Sequence, residues 1–80
     1  MEKSLKSAEY TRLMALLVAT RQRAGIRQHA LAKKLRKPQS FVAKYEGGER
    51  RLDVIEFISI AEALGADPLR LLRRFVREGR

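Results

Sequence analysis

The most distinctive side-chain chemistry of this chain lies on one side of a short segment, residues 39–46. At about 100° per residue, a helix over this segment places Gln39, Ser40, Ala43 and Lys44 on one contiguous arc. The arc offers an amide, a hydroxyl and a cation beside a small residue that permits close approach, and such groups match the hydrogen-bonding edges of base pairs. An ordinary solvated helix face is the alternative, and most such arcs taken singly are of that kind.

The charge of the chain favours the first interpretation. Eighteen Lys and Arg residues against nine Asp and Glu residues give a formal net charge of +9. Such a chain is attracted to polyanions such as nucleic acids, although a membrane surface or an acidic protein would also attract it. Because the arc and the charge occur together, we predict that Gln39, Ser40 and Lys44 contact bases in the major groove of double-stranded DNA.

A second helix and a tight turn precede this segment, so residues 28–46 have the pattern of a helix-turn-helix. Leu31 and Leu35 recur at helical spacing in the first helix, as Val42 and Tyr45 do in the second. A Lys-Pro pair separates the two, since proline disrupts a helix interior but is well suited to starting a helix. Burial of these apolar residues turns the polar arc outward.

Several residues around the helix pair are candidate contacts to DNA phosphates. Gln28 lies at the start of the first helix, where free backbone N–H groups and the helix dipole favour an anion. An ordinary polar N-terminal residue is the alternative for Gln28, and solvated side chains are the alternative for the cations. The cationic candidates are Lys37 or Arg36 at the turn, favoured over Lys33 and Lys34, and Arg50 and Arg51 after the second helix.

Two residues on the inner side of the second helix need a specific explanation. Glu46 falls beside buried positions, where an unpaired carboxylate is costly. We therefore predict that Glu46 forms a structural ion pair with Arg21, late in the first helix of the chain. This pair would help to orient the second helix. Phe41 borders the polar arc and has two placements, either packed inward with an exposed edge or against a thymine methyl group; packing is favoured.

Glycine and proline residues divide the chain into five helix-sized pieces, none of which shows the alternation of a half-buried strand. We therefore predict an all-α fold, a compact five-helix domain that occupies residues 1–80 with its core in about residues 8–77. Helix 1 is predicted over about residues 7–24, helices 2 and 3 over 28–46, helix 4 from an Asp53–Glu56 capping box to Gly65, and helix 5 from Asp67-Pro68 onward.

The last two helices carry apolar stripes with different predicted roles. The stripe of helix 4 is predicted to be buried, and it consists of Val54, Phe57, Ile58, Ala61 and Leu64. A dimer is predicted because one short helix reads too few base pairs for useful specificity, and the stripe of helix 5 is its predicted surface. Only closing the core is the alternative, and the two roles are compatible. This stripe consists of Leu69, Leu72, Phe75 and Val76.

The composition argues against an enzyme and against a metal or another cofactor. With no cysteine and with His29 as the one histidine, the chain lacks the residues of a thiolate site, a histidine metal site or a catalytic triad. The longest apolar run, residues 14–19, is too short to span a bilayer. We expect no membrane partner and a cytoplasmic location, at the bacterial nucleoid.

These motifs together resemble the Cro/phage-repressor-like helix-turn-helix family, also called the xenobiotic-response-element family. The resemblance covers about residues 17–72. It rests on Gly25-Ile26-x-Gln28, Leu31-Ala32-x-x-Leu35, Pro38-Gln39-Ser40-Phe41-Val42-x-Lys44-Tyr45-Glu46-x-Gly48 and Ala61-x-Ala63-Leu64-Gly65. It implies a repressor-like domain in a small transcriptional regulator, with helix 3 in the major groove. Residue by residue, it implies the same base contacts, phosphate contacts from Gln28 and Arg51, and the Arg21–Glu46 pair.

Two positions depart from the family pattern. Arg36 stands where the family has a glycine in the turn, so either a left-handed turn there carries strain or the turn has a different shape. Arg27 replaces the usual Ser or Thr cap of helix 2, which removes the cap but adds a candidate phosphate contact.

Two other functions remain as alternatives to a homodimeric repressor. One is an antitoxin or another protein-interaction module that uses the same fold to hold a partner protein such as a toxin. The other is sequence-neutral coating of nucleic acid. The second is disfavoured, because aromatic residues make up 6% of the chain and no stacking platform is evident.

Overall fold

The structure, a computed structural model, describes residues 7–79 and has five helices in that range. They are α1 (Ala8–Arg23), α2 (Gln28–Leu35), α3 (Gln39–Glu46), α4 (Val54–Ala63) and α5 (Pro68–Glu78). The all-α prediction is therefore confirmed. The two ends of the predicted domain, residues 1–6 and 80, lie outside the described residues. Within residues 7–79, no helix combines the length and the apolar character needed to cross a membrane.

Side-chain caps fix where three of the helices begin. The Ser7 hydroxyl accepts a hydrogen bond at 3.2 Å from the backbone three residues further on. The Asp53 carboxylate accepts from the Glu56 backbone N–H at 2.7 Å, and the Glu56 carboxylate accepts from the Asp53 backbone N–H at 3.0 Å. Asp67 caps α5, which has Pro68 as its first residue. The predicted capping box and the Asp-Pro start are thus both present.

Four of the helices end in the same way, each in a residue with left-handed backbone angles. The next residue donates its backbone N–H to the carbonyl five residues earlier in the chain, at 2.9 to 3.2 Å. This is the Schellman arrangement, in which glycine avoids the clash of a Cβ atom. The left-handed residues are Gly25 (φ 71°), Arg36 (φ 58°), Gly48 (φ 83°) and Gly65 (φ 76°). Of the two predicted shapes for the turn after α2, the left-handed one is therefore present.

The core lies where α2 packs on α3 and α4 while α1 closes the other side against α3 and α5. Burial of apolar side chains stabilises such a domain, and a fully buried Leu, Ile or Val contributes about 1.5–3 kcal/mol. The largest fully buried side chains are Tyr45, Leu17, Leu31, Ile60 and Val42. Because two of these belong to α3, the core itself fixes which side of α3 faces solvent.

The predicted buried stripe of α4 is wrong at one position and omits another. Val54 is 69% exposed, whereas Ile60, which the prediction left out, is 1% exposed. Phe57, Ala61 and Leu64 are buried as predicted. The helix is apolar on nearly all sides, so periodicity alone does not determine its inner face; that face is set by packing against α2 and α5.

The apolar stripe of α5 lies mainly outside the core. Leu69 is 70% exposed, and Leu72 and Val76 are also exposed. The buried residue of this helix is Leu71, which the predicted stripe omits. The alternative that the stripe merely closes the core is therefore wrong for these exposed side chains.

Phe75, the fourth residue of that stripe, is held against α1 by one arginine. The Arg12 guanidinium lies 3.9 Å from the centre of the Phe75 ring and donates a hydrogen bond at 2.9 Å to the Phe75 carbonyl. A cation over an aromatic face and a charge-assisted hydrogen bond are both favourable. This contact docks the end of α5 on α1.

Candidate nucleic-acid interface

The outer side of α3 is the predicted polar arc. Gln39, Ser40, Ala43 and Lys44 are all exposed, while the opposite side of the helix packs into the core. Pro38 precedes α3 without a side-chain cap. The backbone N–H groups of Gln39 and Ser40, in the first turn of α3, therefore have no side-chain cap. The predicted orientation of the arc is confirmed, and the base contacts remain predictions.

A largely buried ion-pair network holds α3 in place. The Glu46 carboxylate accepts hydrogen bonds from Arg21 Nε at 2.7 Å and from Arg21 Nη2 at 3.1 Å, so the predicted ion pair is confirmed. The two side chains are 12% and 7% exposed. Arg21 also donates to the Ile26 carbonyl at 2.8 Å, which ties the network to the turn after α1. A buried pair of this kind needs such additional hydrogen bonds to offset its desolvation.

Gln28 belongs to the same network, which the sequence analysis did not foresee. Its amide Nε2 donates to the Glu46 carboxylate at 2.8 Å, so the network joins α1, α2 and α3. An amide has a second N–H and an oxygen besides. The phosphate contact assigned to Gln28 therefore remains a prediction, now for a side chain that the network holds in one orientation. No local sequence signal links two residues that lie 18 positions apart on different helices.

Arg50 has a structural role that the sequence analysis missed. Its guanidinium makes two hydrogen bonds to the Glu56 carboxylate, at 3.0 and 2.8 Å, and a third to the Arg51 carbonyl at 2.8 Å. The hydrogen bond from Arg50 holds the pKa of Glu56 below its usual range. The proposed phosphate clamp at Arg50 is untested, but these partners already engage the guanidinium. The signal available in the sequence was the Glu56 carboxylate of the capping box.

The loop after α3 is also fixed to α1. The Arg51 guanidinium lies 4.2 Å from the centre of the Tyr10 ring, and the Tyr10 hydroxyl accepts a hydrogen bond from the Leu52 backbone N–H at 3.0 Å. Arg51 nevertheless remains exposed. The loop thus presents a cation at a defined place beside the end of α3.

Phe41 adopts the favoured one of its two predicted placements. Its ring packs against the core at 5.6 Å from the Tyr45 ring, in an edge-to-face arrangement of 63°. Lys37 Nζ and the Arg50 guanidinium lie 5.4 and 4.9 Å from the Phe41 ring centre.

Arg27, another candidate phosphate contact, precedes α2. As expected, it makes no side-chain cap hydrogen bond to that helix, and its side chain is exposed.

The Tyr45 hydroxyl is buried with no hydrogen-bond partner in the described part of the chain, and burial raises its pKa. Removing an unsatisfied group avoids its desolvation cost. We expect Tyr45→Phe to leave the free energy of unfolding unchanged or to raise it by about 1 kcal/mol, as measured by urea denaturation. Tyr10→Phe is the matched control, because its hydroxyl accepts from Leu52, and it should lose about 1 kcal/mol. Equal losses in the two variants would contradict this assignment.

Comparison with known proteins agrees with the geometry. The helix-turn-helix family model HTH_3 matches residues 17–71. The XRE-family like protein from Pseudomonas syringae pv. tomato str. DC3000 is 46% identical, with 91% of this chain and 89% of that chain covered and a TM-score of 0.88. The clp gene regulator ClgR from Corynebacterium glutamicum is 22% identical, with coverages of 91% and 78% and a TM-score of 0.77.

A third solved structure also has the same fold. The restriction-modification controller protein C.Esp1396I is 19% identical, with coverages of 90% and 91% and a TM-score of 0.80. No curated protein matches this chain. The family model spans more than half of the sequence, and the 46% identical structure covers most of it. The chain therefore belongs to the XRE-type helix-turn-helix family of DNA-binding transcription regulators.

Proposed function

We propose that this regulator binds a specific DNA sequence as a homodimer, reads the major groove with α3 and acts as a repressor at the bacterial nucleoid. The observation that carries the proposal is the exposed polar arc of α3 on a helix whose opposite side buries Val42 and Tyr45 in the core. The Arg21–Glu46–Gln28 network fixes the angle of that helix against α1 and α2. A rigid helix contacts base edges with less loss of conformational freedom than a mobile one does.

The side chains of the arc suit specific base contacts. Gln39 has the amide that bonds both N6 and N7 of adenine, and Lys44 has the cation that reaches O6 and N7 of guanine. Ser40 donates or accepts, and Ala43 leaves space for close approach. In this family geometry the N-terminal end of the recognition helix enters the groove first. Gln39 and Ser40 therefore lie deepest in the proposed complex.

Exposed cations on both sides of α3, together with the Gln28 amide, supply the proposed phosphate contacts. Arg27 and Gln28 stand at the start of α2, Lys37 lies in the turn, and Arg51 lies in the loop after α3. Such contacts set the register of a protein on the duplex but carry no sequence information. Arg50 supports this set by holding the loop to Glu56.

The proposed dimer forms through the exposed apolar row of α5. Leu69, Leu72 and Val76 share one side of that helix, and Val54 lines the same groove as Leu72 at the junction with α4. Pairing two copies there would remove these side chains from water. A dimer of this family contacts half-sites about one helical turn, roughly 34 Å, apart. The same row would serve a toxin or another protein partner, which is the alternative function.

Selection of bound sequences from a random pool of duplex DNA tests the proposal as a whole. We expect a palindromic consensus whose half-sites are about one helical turn apart. Enrichment of one unrepeated half-site would rule out the symmetric dimer on DNA. Absence of any enrichment, together with a stable complex between the chain and a different protein, would favour the protein-interaction alternative.

Gln39→Ala should relax the base preference at one position of the selected site by about 1–3 kcal/mol, because it removes a bidentate base contact. Arg51→Ala should instead weaken binding to all duplexes by similar factors, because it removes a phosphate contact. Competition binding between variants of the DNA site, with fluorescence anisotropy as the readout, separates the two patterns. An unchanged consensus for Gln39→Ala would mean that α3 is not the reading helix. Because the Arg51 guanidinium also packs over the Tyr10 ring, the melting temperature of Arg51→Ala must be measured before its DNA binding is interpreted.

A further inference from the structure

Arg36 occupies a position where this chain elsewhere uses glycine. Four helix ends share the Schellman hydrogen bonds, and three of them place glycine at the left-handed residue. At the fourth, between α2 and α3, Arg36 has φ 58° and ψ 42°. Its backbone N–H bonds to Lys33 O at 3.1 Å, and that of Lys37 bonds to Ala32 O at 2.9 Å. The four turns therefore share the same backbone hydrogen bonds around a left-handed residue, and one of those four residues carries a side chain.

This side chain makes the turn less stable. In the left-handed region, the Cβ of an L-residue lies too close to the following carbonyl oxygen, a clash that glycine lacks. Arg36 is the one non-glycine residue with a positive φ among residues 7–79. Strain of this kind persists at functional positions, where the side chain contributes something that the fold itself does not need.

Nothing within the described fold uses the Arg36 guanidinium. Some other arginines do have partners there: Arg12 binds the end of α5, Arg21 pairs with Glu46, and Arg50 pairs with Glu56. Arg36 is exposed, and no hydrogen bond, ion pair or ring contact engages its side chain within residues 7–79. The strained backbone therefore has no intramolecular compensation from that side chain.

We propose that Arg36 binds a DNA phosphate at the edge of the groove that α3 enters, and that the chain thereby gives up stability for DNA affinity. The proposal rests on the function proposed above. Arg36 lies two residues before Pro38, at the end of α3 that enters the groove first, so its side chain lies beside the phosphates that line the groove edge. Its neighbour Lys37, itself one of the proposed phosphate contacts, has its ammonium group 5.4 Å from the Phe41 ring.

Two measurements on Arg36→Gly test the proposal. Thermal unfolding should show a melting temperature raised by about 4–8 °C, because the clash disappears. Fluorescence anisotropy with a 20-bp duplex of random sequence, between 50 and 200 mM salt, should show weaker binding. The logarithm of the DNA association constant decreases with the logarithm of the salt concentration, and the steepness of that decrease should be smaller by about 0.9, the value for one phosphate contact. A random duplex suffices, because a phosphate contact does not depend on sequence.

Three further variants separate a contact from a change in net charge or turn flexibility. Lys34→Ala removes one exposed charge from α2 without touching the turn, and it should change the salt slope much less. Asparagine tolerates left-handed angles, so Arg36→Asn should show the same reduction in salt slope as Arg36→Gly. Arg36→Lys retains the positive charge and should keep the wild-type slope.

The outcomes distinguish this inference from the proposed function. If the wild-type chain binds no duplex at all, the proposed function fails and Arg36 has no phosphate to contact. If the wild-type chain binds while Arg36→Gly keeps the full salt slope, or Lys34→Ala loses as much, the Arg36 contact alone is overturned. A melting temperature that does not rise for Arg36→Gly overturns the exchange of stability for affinity.

Discussion

Glu46→Ala is expected to lower the free energy of unfolding by about 3–5 kcal/mol, a large share of the roughly 5–15 kcal/mol typical of a small domain. The carboxylate receives two hydrogen bonds from Arg21 and one from Gln28. Its removal leaves a guanidinium that is 12% exposed with the Ile26 carbonyl as its remaining hydrogen-bond partner within residues 7–79. Urea denaturation followed by circular dichroism measures the loss.

Glu78→Ala is the matched control for this variant. Glu78 pairs with Arg74 at 2.9 Å, nearly the same distance as in the buried pair, but the two side chains are 44% and 55% exposed. Surface pairs of this kind contribute about 0–1 kcal/mol, because water competes for both charges. An unaltered melting temperature for Glu46→Ala, or equal losses in both variants, would contradict the role assigned to the buried pair.

The same variant separates positioning from contact with DNA. Glu46 lies on the inner side of α3, so it orients that helix and does not face the DNA of the proposed complex. Glu46→Ala should therefore change the free energy of DNA binding by less than it lowers the free energy of unfolding. The binding is measured on the folded fraction, well below the melting temperature. Lys44→Ala should show the opposite pattern, because Lys44 is exposed on the polar arc.

The helix boundaries were predictable because their signals are local. A capping carboxylate, an Asp-Pro pair and a glycine each act on the backbone within a few residues, and these signals coincide with the observed ends. The outward arc of α3 was predictable for a related reason. With Val42 and Tyr45 as its strong apolar anchors, one rotation of that helix buries both of them and exposes Lys44.

The parts that escaped prediction depend on contacts between distant residues. The partnership of Gln28 with Glu46 crosses 18 positions and requires the three-dimensional packing of helices, whereas that of Arg50 with Glu56 spans six positions and had a local signal in the capping box. In α5, the Arg12 contact with Phe75 crosses 63 positions of the sequence. Periodicity describes which residues share a side of a helix, but it does not state which neighbour that side meets.

Ile60→Ala is expected to lower the free energy of unfolding by about 2–5 kcal/mol, the range for removing a buried branched side chain and leaving a cavity. Ile60 is 1% exposed in the core where α4 meets α2. Val54→Ala is the control on the same helix, because Val54 is 69% exposed and its truncation should change stability by no more than about 0.5 kcal/mol. Chemical denaturation of both variants at low micromolar protein concentration gives the comparison.

The concentration matters because Val54 lies beside the proposed dimer surface of α5. If Val54→Ala lowers stability only at high protein concentration, its side chain acts between copies, and the loss belongs to association. If it costs as much as Ile60→Ala at every concentration, Val54 is buried within one copy, as the predicted stripe required. A large loss at Ile60 with a small one at Val54 confirms that Ile60 belongs to the core, while Val54, the first residue of α4, lies beside Leu72 in the groove between α4 and α5. The core side of α4 and the exposed start of that helix are thus tested by one pair of substitutions.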